Sequence, residues 1–143
     1  MEKLDNAATP KMMLGQMRSQ TLLDGMVAEE DSKDTRWVKF EEGFHELVVD
    51  LGKKTRIQKT MLRMLNYNSE GIGMPLKVYL FTSADGKTYD LASIKDAPYF
   101  PNSKHDAWIE CLLFDELNEN SRYLKVAFEA PQSVYIDELF INP

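Results

Sequence analysis

From residue 40 onward the chain is a succession of short apolar runs with a period of two, broken by turn residues. Residues 46–51 are rich in aliphatic and β-branched side chains and stop at Gly52-Lys53-Lys54. At 56–65, Ile57, Thr60, Leu62 and Met64 share one side of a strand, and the offset after Ile57 calls for a bulge. Residues 66–74 hold Asn66, Asn68, Ser69, Gly71 and Gly73, a loop composition. A strand at 76–82 closes with Ala84-Asp85-Gly86-Lys87, where the glycine supplies the positive φ of a hairpin turn. A short strand at 88–91 leads into a loop at 95–106 with two prolines. Residues 108–114 are apolar on both faces and predict a central strand. After a turn at 115–121, strands at 123–128 and 134–141 finish the chain, joined by 129–133 with Pro131.

Upstream the pattern weakens. Residues 22–37 carry Glu29, Glu30, Asp31 and Asp34 and predict a long acidic loop. In the polar, Met-rich segment 1–21, the spacing of Met12, Met13, Leu14 and Met17 suits a helical turn and an irregular first strand equally. It stands as a loose N-terminal segment or first strand ahead of one domain at 22–143. Many short strands with turns about every 8–12 residues, and no sustained helical period, predict an all-β sandwich or barrel.

The 143 residues suit a single domain, and 43% hydrophobic content is enough for a core. A net charge of −6 argues against nucleic acid and anionic membranes, because polyphosphate binding requires clustered Lys and Arg. A neutral ligand or a divalent cation suits this balance. One cysteine, Cys111, excludes an intrachain disulfide, and its apolar neighbours predict a small buried core residue. No run approaches the about 18 apolar residues of a membrane span, and residues 1–20 lack the apolar region of a signal peptide.

Four segments occur in one order: Leu23-Asp24-Gly25; Val48-Val49-Asp50-Leu51-Gly52-Lys53; Pro75 leading to Ser83-Ala84-Asp85-Gly86-Lys87; and Ser121-Arg122-Tyr123-Leu124-Lys125-Val126. Together with Arg36-Trp37-Val38 and Phe40, this order resembles the galactose-binding-like β-sandwich, the discoidin or coagulation-factor type C module. It is most similar to family 32 carbohydrate-binding modules and to the C-terminal modules of bacterial β-hexosaminidases. The resemblance spans about residues 22–142. It departs in its N-terminal strand and in lacking the cysteine pair of many animal discoidin domains, which favours a bacterial module.

The resemblance implies an antiparallel jelly-roll β-sandwich, a structural Ca²⁺, and sugar held by loops at one end. Asp24 and Glu138 match the metal positions, while Asp31, Asp34 and Thr35 offer further oxygens from the same acidic loop. Calcium takes six to eight oxygens, mixing carboxylates with backbone carbonyls of a tight loop. The competing reading is a solvated loop in which Asp24 is a turn former. For the sugar, Arg63 and Asn68 match the family's arginine and asparagine, with Asn66 as a rival and Tyr67 between them. A second candidate surface is Tyr99, Phe100 and His105, two rings and a histidine in a polar loop. Those rings could equally tuck under their own loop.

Trp37 and Trp108 suit core packing better than a sugar platform. Arg122 reads as a structural partner of a carboxylate, Asp50 as a turn residue, and His45 as a partly exposed strand residue. No nucleophile motif, phosphate loop, metal-type histidine spacing or convergent carboxylate pair is present. Adjacent Glu41 and Glu42 would point to opposite faces of a strand. The expectation is a non-catalytic module binding galactose-type or N-acetylhexosamine glycans. It would be attached to neighbouring domains of a secreted bacterial glycan-active enzyme or surface protein, outside the cell, without membrane insertion. The alternative is a structural or protein-interaction sandwich with no sugar site.

Overall fold

The computed structural model describes residues 11–12, 22–97 and 106–143. Nine strands follow in chain order: β1 (Lys11–Met12), β2 (Val38–Phe40), β3 (Gly43–Ile57), β4 (Thr60–Tyr67), β5 (Lys77–Ser83), β6 (Asp90–Asp96), β7 (Ala107–Phe114), β8 (Glu119–Ala130) and β9 (Val134–Ile141). They form a five-stranded sheet, β1-β3-β8-β5-β6, and a four-stranded sheet, β2-β9-β4-β7, with every pairing antiparallel. This is the predicted jelly-roll sandwich.

Alternation places the core between the sheets. In β8, Leu124, Val126 and Phe128 point inward, against Leu62 and Met64 of β4 and Ile136 and Leu139 of β9, all fully buried. Phe128 meets Phe40 edge to face at 5.4 Å. A second cluster lies elsewhere: Ala28 and Trp37 of the acidic loop pack with Leu65 and Ile72, bordered by Tyr67, Ile109 and Tyr135. Leu65 and Tyr67 alternate with the inward Leu62 and Met64, so this cluster covers the outer face of the four-stranded sheet.

Several boundaries differ from expectation. The turn at 52–54 is a register irregularity inside one long strand, between Asp50 and Thr55. Gly52 at φ 84° turns the chain locally while β8 remains the partner on both sides. The strand expected at 56–65 divides into the end of β3 and β4. Asn142, at φ 54°, holds this corner: its Oδ1 accepts from the amides of Gln58 (2.8 Å) and Lys59 (3.2 Å), and its Nδ2 donates to the Arg56 carbonyl (2.8 Å). The strand expected at 88–91 is β6, starting at Asp90.

The 108–114 strand is not central: among the described strands β7 is the edge of its sheet, paired with β4 alone. Cys111, opposite Arg63 on the outward-facing side of β7, is an exposed thiol rather than a core residue, while Leu112 and Phe114 point inward; Trp108 is half-buried and Trp37 is buried as expected. An apolar run alone does not report which strand lies at an edge. Arg122 pairs with Asp50 through Nε (2.8 Å) and Nη2 (3.0 Å), and Asp50 also accepts from the Gly52 amide at 2.8 Å. His45 is half-buried beside Phe40 at 5.3 Å.

Candidate functional site

Two features distinguish the sandwich: a buried carboxylate pair beneath the acidic loop, and a cleft where the loops after β4, β6 and β8 meet. The pair arises from a bulge in β9. Arg63 faces Glu138 but Met64 faces Ile136, so β9 carries one extra residue. Ile136 and Leu139, three apart, can then both face the core, while Asp137 and Glu138 serve the 22–37 loop.

Asp137 is fully buried; its Oδ2 accepts from the Ala28 amide at 2.7 Å and from the Arg63 guanidinium. Arg63 Nη2 donates to the Ala28 carbonyl at 3.2 Å, and its guanidinium lies 5.7 Å from the Trp37 ring centre. Desolvation outweighs these contacts and raises the Asp137 pKa. Arg63 thus clamps the acidic loop onto the sheet, and among the described residues it does not line the cleft.

Glu138 is also fully buried. Its Oε2 accepts from the Gly25 amide at 2.9 Å, and its Oε1 has no hydrogen-bond partner among the described residues. Burial, reinforced by the neighbouring Asp24 carboxylate, raises its pKa to about 8. Asp24 is exposed and its Oδ1 accepts from the Met26 amide at 2.8 Å, as a turn former does. An unpartnered carboxylate oxygen beside a second carboxylate on a tight loop fits a divalent cation.

Asp34 does not fit. Its Oδ1 accepts from the Arg36 amide and Nε, both at 3.0 Å, and its Oδ2 from the Glu29 amide (2.8 Å) and Arg36 Nη2 (2.7 Å). These bonds, led by the Arg36 side chain, hold its pKa well below the usual carboxylate range. Thr35 is exposed. Among the described residues no three His, Cys, Asp or Glu side chains gather into a metal cluster, so further oxygens would have to be carbonyls or water.

The cleft has a volume of about 580 Å³. Asn66, Asn68 and Gln132 bring side-chain amides to it; Met74, Pro75 and Pro131 form apolar walls. Asn66 is buried, and its Nδ2 has no hydrogen-bond partner among the described residues. The backbone beyond β4 is tied down: the Gly73 amide donates to the Ser133 carbonyl at 2.9 Å and the Leu76 amide to the Glu129 carbonyl at 3.1 Å. Gly73 meets the Gln132 amide so closely that a Cβ would lie 2.1 Å from its Nε2.

Of the sugar residues read from the sequence, Asn66 and Asn68 line the cleft together. Tyr67 points away and packs against the Trp37 cluster. Glu70 lies beside the Tyr67 hydroxyl and raises its pKa, and also accepts from Ser32 Oγ at 2.5 Å. Tyr99, Phe100 and His105 lie outside the described residues. Their segment leaves from Ala97, which lines the cleft, and returns at Asp106, whose Oδ1 accepts from the Ser69 amide at 3.0 Å. The sequence reading missed Gln132 and Asp137. A charged pair inside the apolar 134–141 strand was a signal for Asp137; nothing local marked Gln132.

These features define a galactose-binding-like β-sandwich. Solved structures of that class match nearly the whole chain. The C-terminal domain of a chitobiase from Bacteroides fragilis aligns at TM-score 0.61 and 15% identity, covering 99% of this chain and 97% of that one. CBM32-1 from a family 31 glycoside hydrolase of Clostridium perfringens aligns at 0.57 and 17%, covering 93% and 92%. CpGH89CBM32-5 of Clostridium perfringens, solved in complex with GalNAc-β-1,3-galactose, aligns at 0.58 and 16%, covering 85% and 81%. No family model and no curated protein matches the sequence. At these identities the likeness is one of fold.

Proposed function

We infer that this chain is a non-catalytic carbohydrate-binding module that holds a neutral galactose-type or N-acetylhexosamine glycan in the cleft of Asn66, Asn68 and Gln132. The observation that carries this reading is the cleft itself. It is a preformed concavity with apolar walls and convergent amides, one of which, Asn66 Nδ2, is buried without a partner among the described residues. Amides donate to and accept from hydroxyls, and the apolar walls suit the C–H faces of a sugar. Among the described lining residues none is charged, which suits a neutral ligand. Neighbours of the same fold belong to glycan-active enzymes, which supports attachment to a secreted bacterial enzyme of that kind. A single small site binds weakly, so targeting would come from tethering.

Calcium is part of this reading as a structural ion. Asp24, Glu138 and carbonyls of their loop would hold it, pinning the Asp24-Gly25 turn; Asp34 is engaged with Arg36 and is not a ligand.

A glycan array with the purified chain, with and without EDTA, tests both parts. Selective binding to galactose- or N-acetylhexosamine-terminated glycans is expected, weakened at least about tenfold by Asn68→Ala or Gln132→Ala with unchanged thermal unfolding. A blank array from a cooperatively folded protein transfers the assignment to a structural or protein-interaction domain.

A further inference from the structure

The two outer faces of the sandwich differ. The acidic loop covers that of the four-stranded sheet, while the five-stranded sheet presents Tyr79, Phe81 and Tyr123 outward from β5 and β8. Against this outward face, beside the β5–β6 turn, lies a trough of about 360 Å³, smaller and more open than the cleft.

The turn that walls it is rigid. Asp85 Oδ1 accepts from the amides of Lys87 (2.8 Å) and Thr88 (3.0 Å) and from Ser83 Oγ (3.0 Å), and Ser83 Oγ accepts from the Gly86 amide (2.9 Å). Gly86, at φ 75°, approaches Tyr123 so closely that a Cβ would lie 3.1 Å from the ring. Val48 lines the trough together with the Tyr123 and Tyr89 rings. Lys125 Nζ sits 4.3 Å from the Tyr89 ring centre and 3.0 Å from Glu46 Oε2, which fixes a donor beside an acceptor.

We propose that this trough is a second carbohydrate site, taking internal residues of a neutral glycan chain, with Tyr89 and Tyr123 as ring contacts and the Glu46–Lys125 pair engaging vicinal hydroxyls. The charges lining the trough balance, Glu46 and Asp85 against Lys87 and Lys125, so nothing there selects an ion. Amphipathic rings beside a fixed donor–acceptor pair match the alternating C–H and O–H surface of a pyranose. An open trough accommodates a chain passing through, whereas the more enclosed cleft suits a chain end. The proposal rests on the carbohydrate reading above but on separate residues.

Titration of the ¹⁵N-labelled full chain with the neutral tetrasaccharide lacto-N-tetraose, followed by amide shifts, separates the two sites. Saturable shifts at Val48, Gly86 and Tyr123 are expected, persisting in Gln132→Ala. Tyr89→Ala should weaken them about tenfold. Glu46→Gln, an exposed and nearly isosteric change, should weaken them with the fold intact. Shifts confined to Asn68, Gly73 and Gln132 overturn the trough and leave the cleft standing. Shifts confined to the trough uphold it and overturn the cleft, and shifts at neither overturn both.

Discussion

Glu138 is a fully buried acid beside a second carboxylate, Asp24, and its behaviour follows from that. Its ordinary pKa of 4.5 rises to about 8 in the fold. Between these values the folded state holds a proton that the unfolded chain has released, so stability falls as pH rises through that window. In EDTA, the free energy of unfolding from urea titrations should therefore decrease from pH 5 to pH 8, by on the order of 3 kcal/mol. Glu138→Gln should flatten most of this slope. Calcium binds the ionised form, so adding it should restore stability near pH 8 in the wild type and not in Glu138→Gln. A pH slope unchanged by Glu138→Gln would place the titration elsewhere.

At the level of elements, the β9 bulge and the 22–37 loop form one device. Without the extra residue, Asp137 and Glu138 would fall on opposite faces and one of them would enter the core. The Arg63–Asp137 pair then fastens Ala28 and Trp37 over Leu65. Removing one partner leaves the other buried alone, so Arg63→Met should cost about 3 kcal/mol and shift Trp37 fluorescence as its loop loosens. The double change Arg63→Met, Asp137→Leu should recover much of that loss, since a well-packed apolar pair often replaces a buried ion pair without penalty. Equal losses in the single and double variants would show that the clamp contributes nothing as a pair. Sugar binding in the cleft should survive Arg63→Met. Its abolition with the fold intact would return Arg63 to the site.

For the whole molecule, topology sets the kinetics. β3 pairs with β8, and β2 with β9, across most of the chain length. Loop closure must precede these contacts, so refolding should take milliseconds to seconds. Stopped-flow fluorescence of Trp37, buried only once its loop has docked, reads this directly. Microsecond refolding would contradict rate control by these long-range pairings. The same topology carries the loops after β4, β6 and β8 to one end, which is why Asn66 and Gln132 share a cleft.

Local chemistry was sufficient for part of this. Period-two runs and Gly or Asp-Gly turns specify an all-β chain, because alternation and positive φ are properties of neighbouring residues. The buried Trp37 and the Asp24 turn were legible for the same reason, and Arg122 at a strand start was legible as a carboxylate's partner, though not that the carboxylate is Asp50, 72 residues away. Asn66 and Asn68 were visible as a polar turn closing a strand. Which strands lie at edges was not legible: the apolar 108–114 run reads as central, yet β7 has no second partner among the described strands. Nor was the engagement of Arg63 with Asp137, 74 residues away, or the meeting of Gln132 with Asn66. Those facts depend on strand order and on one bulge. Contacts between distant segments are chosen by the packing of two sheets as a whole, and no window of sequence contains both partners.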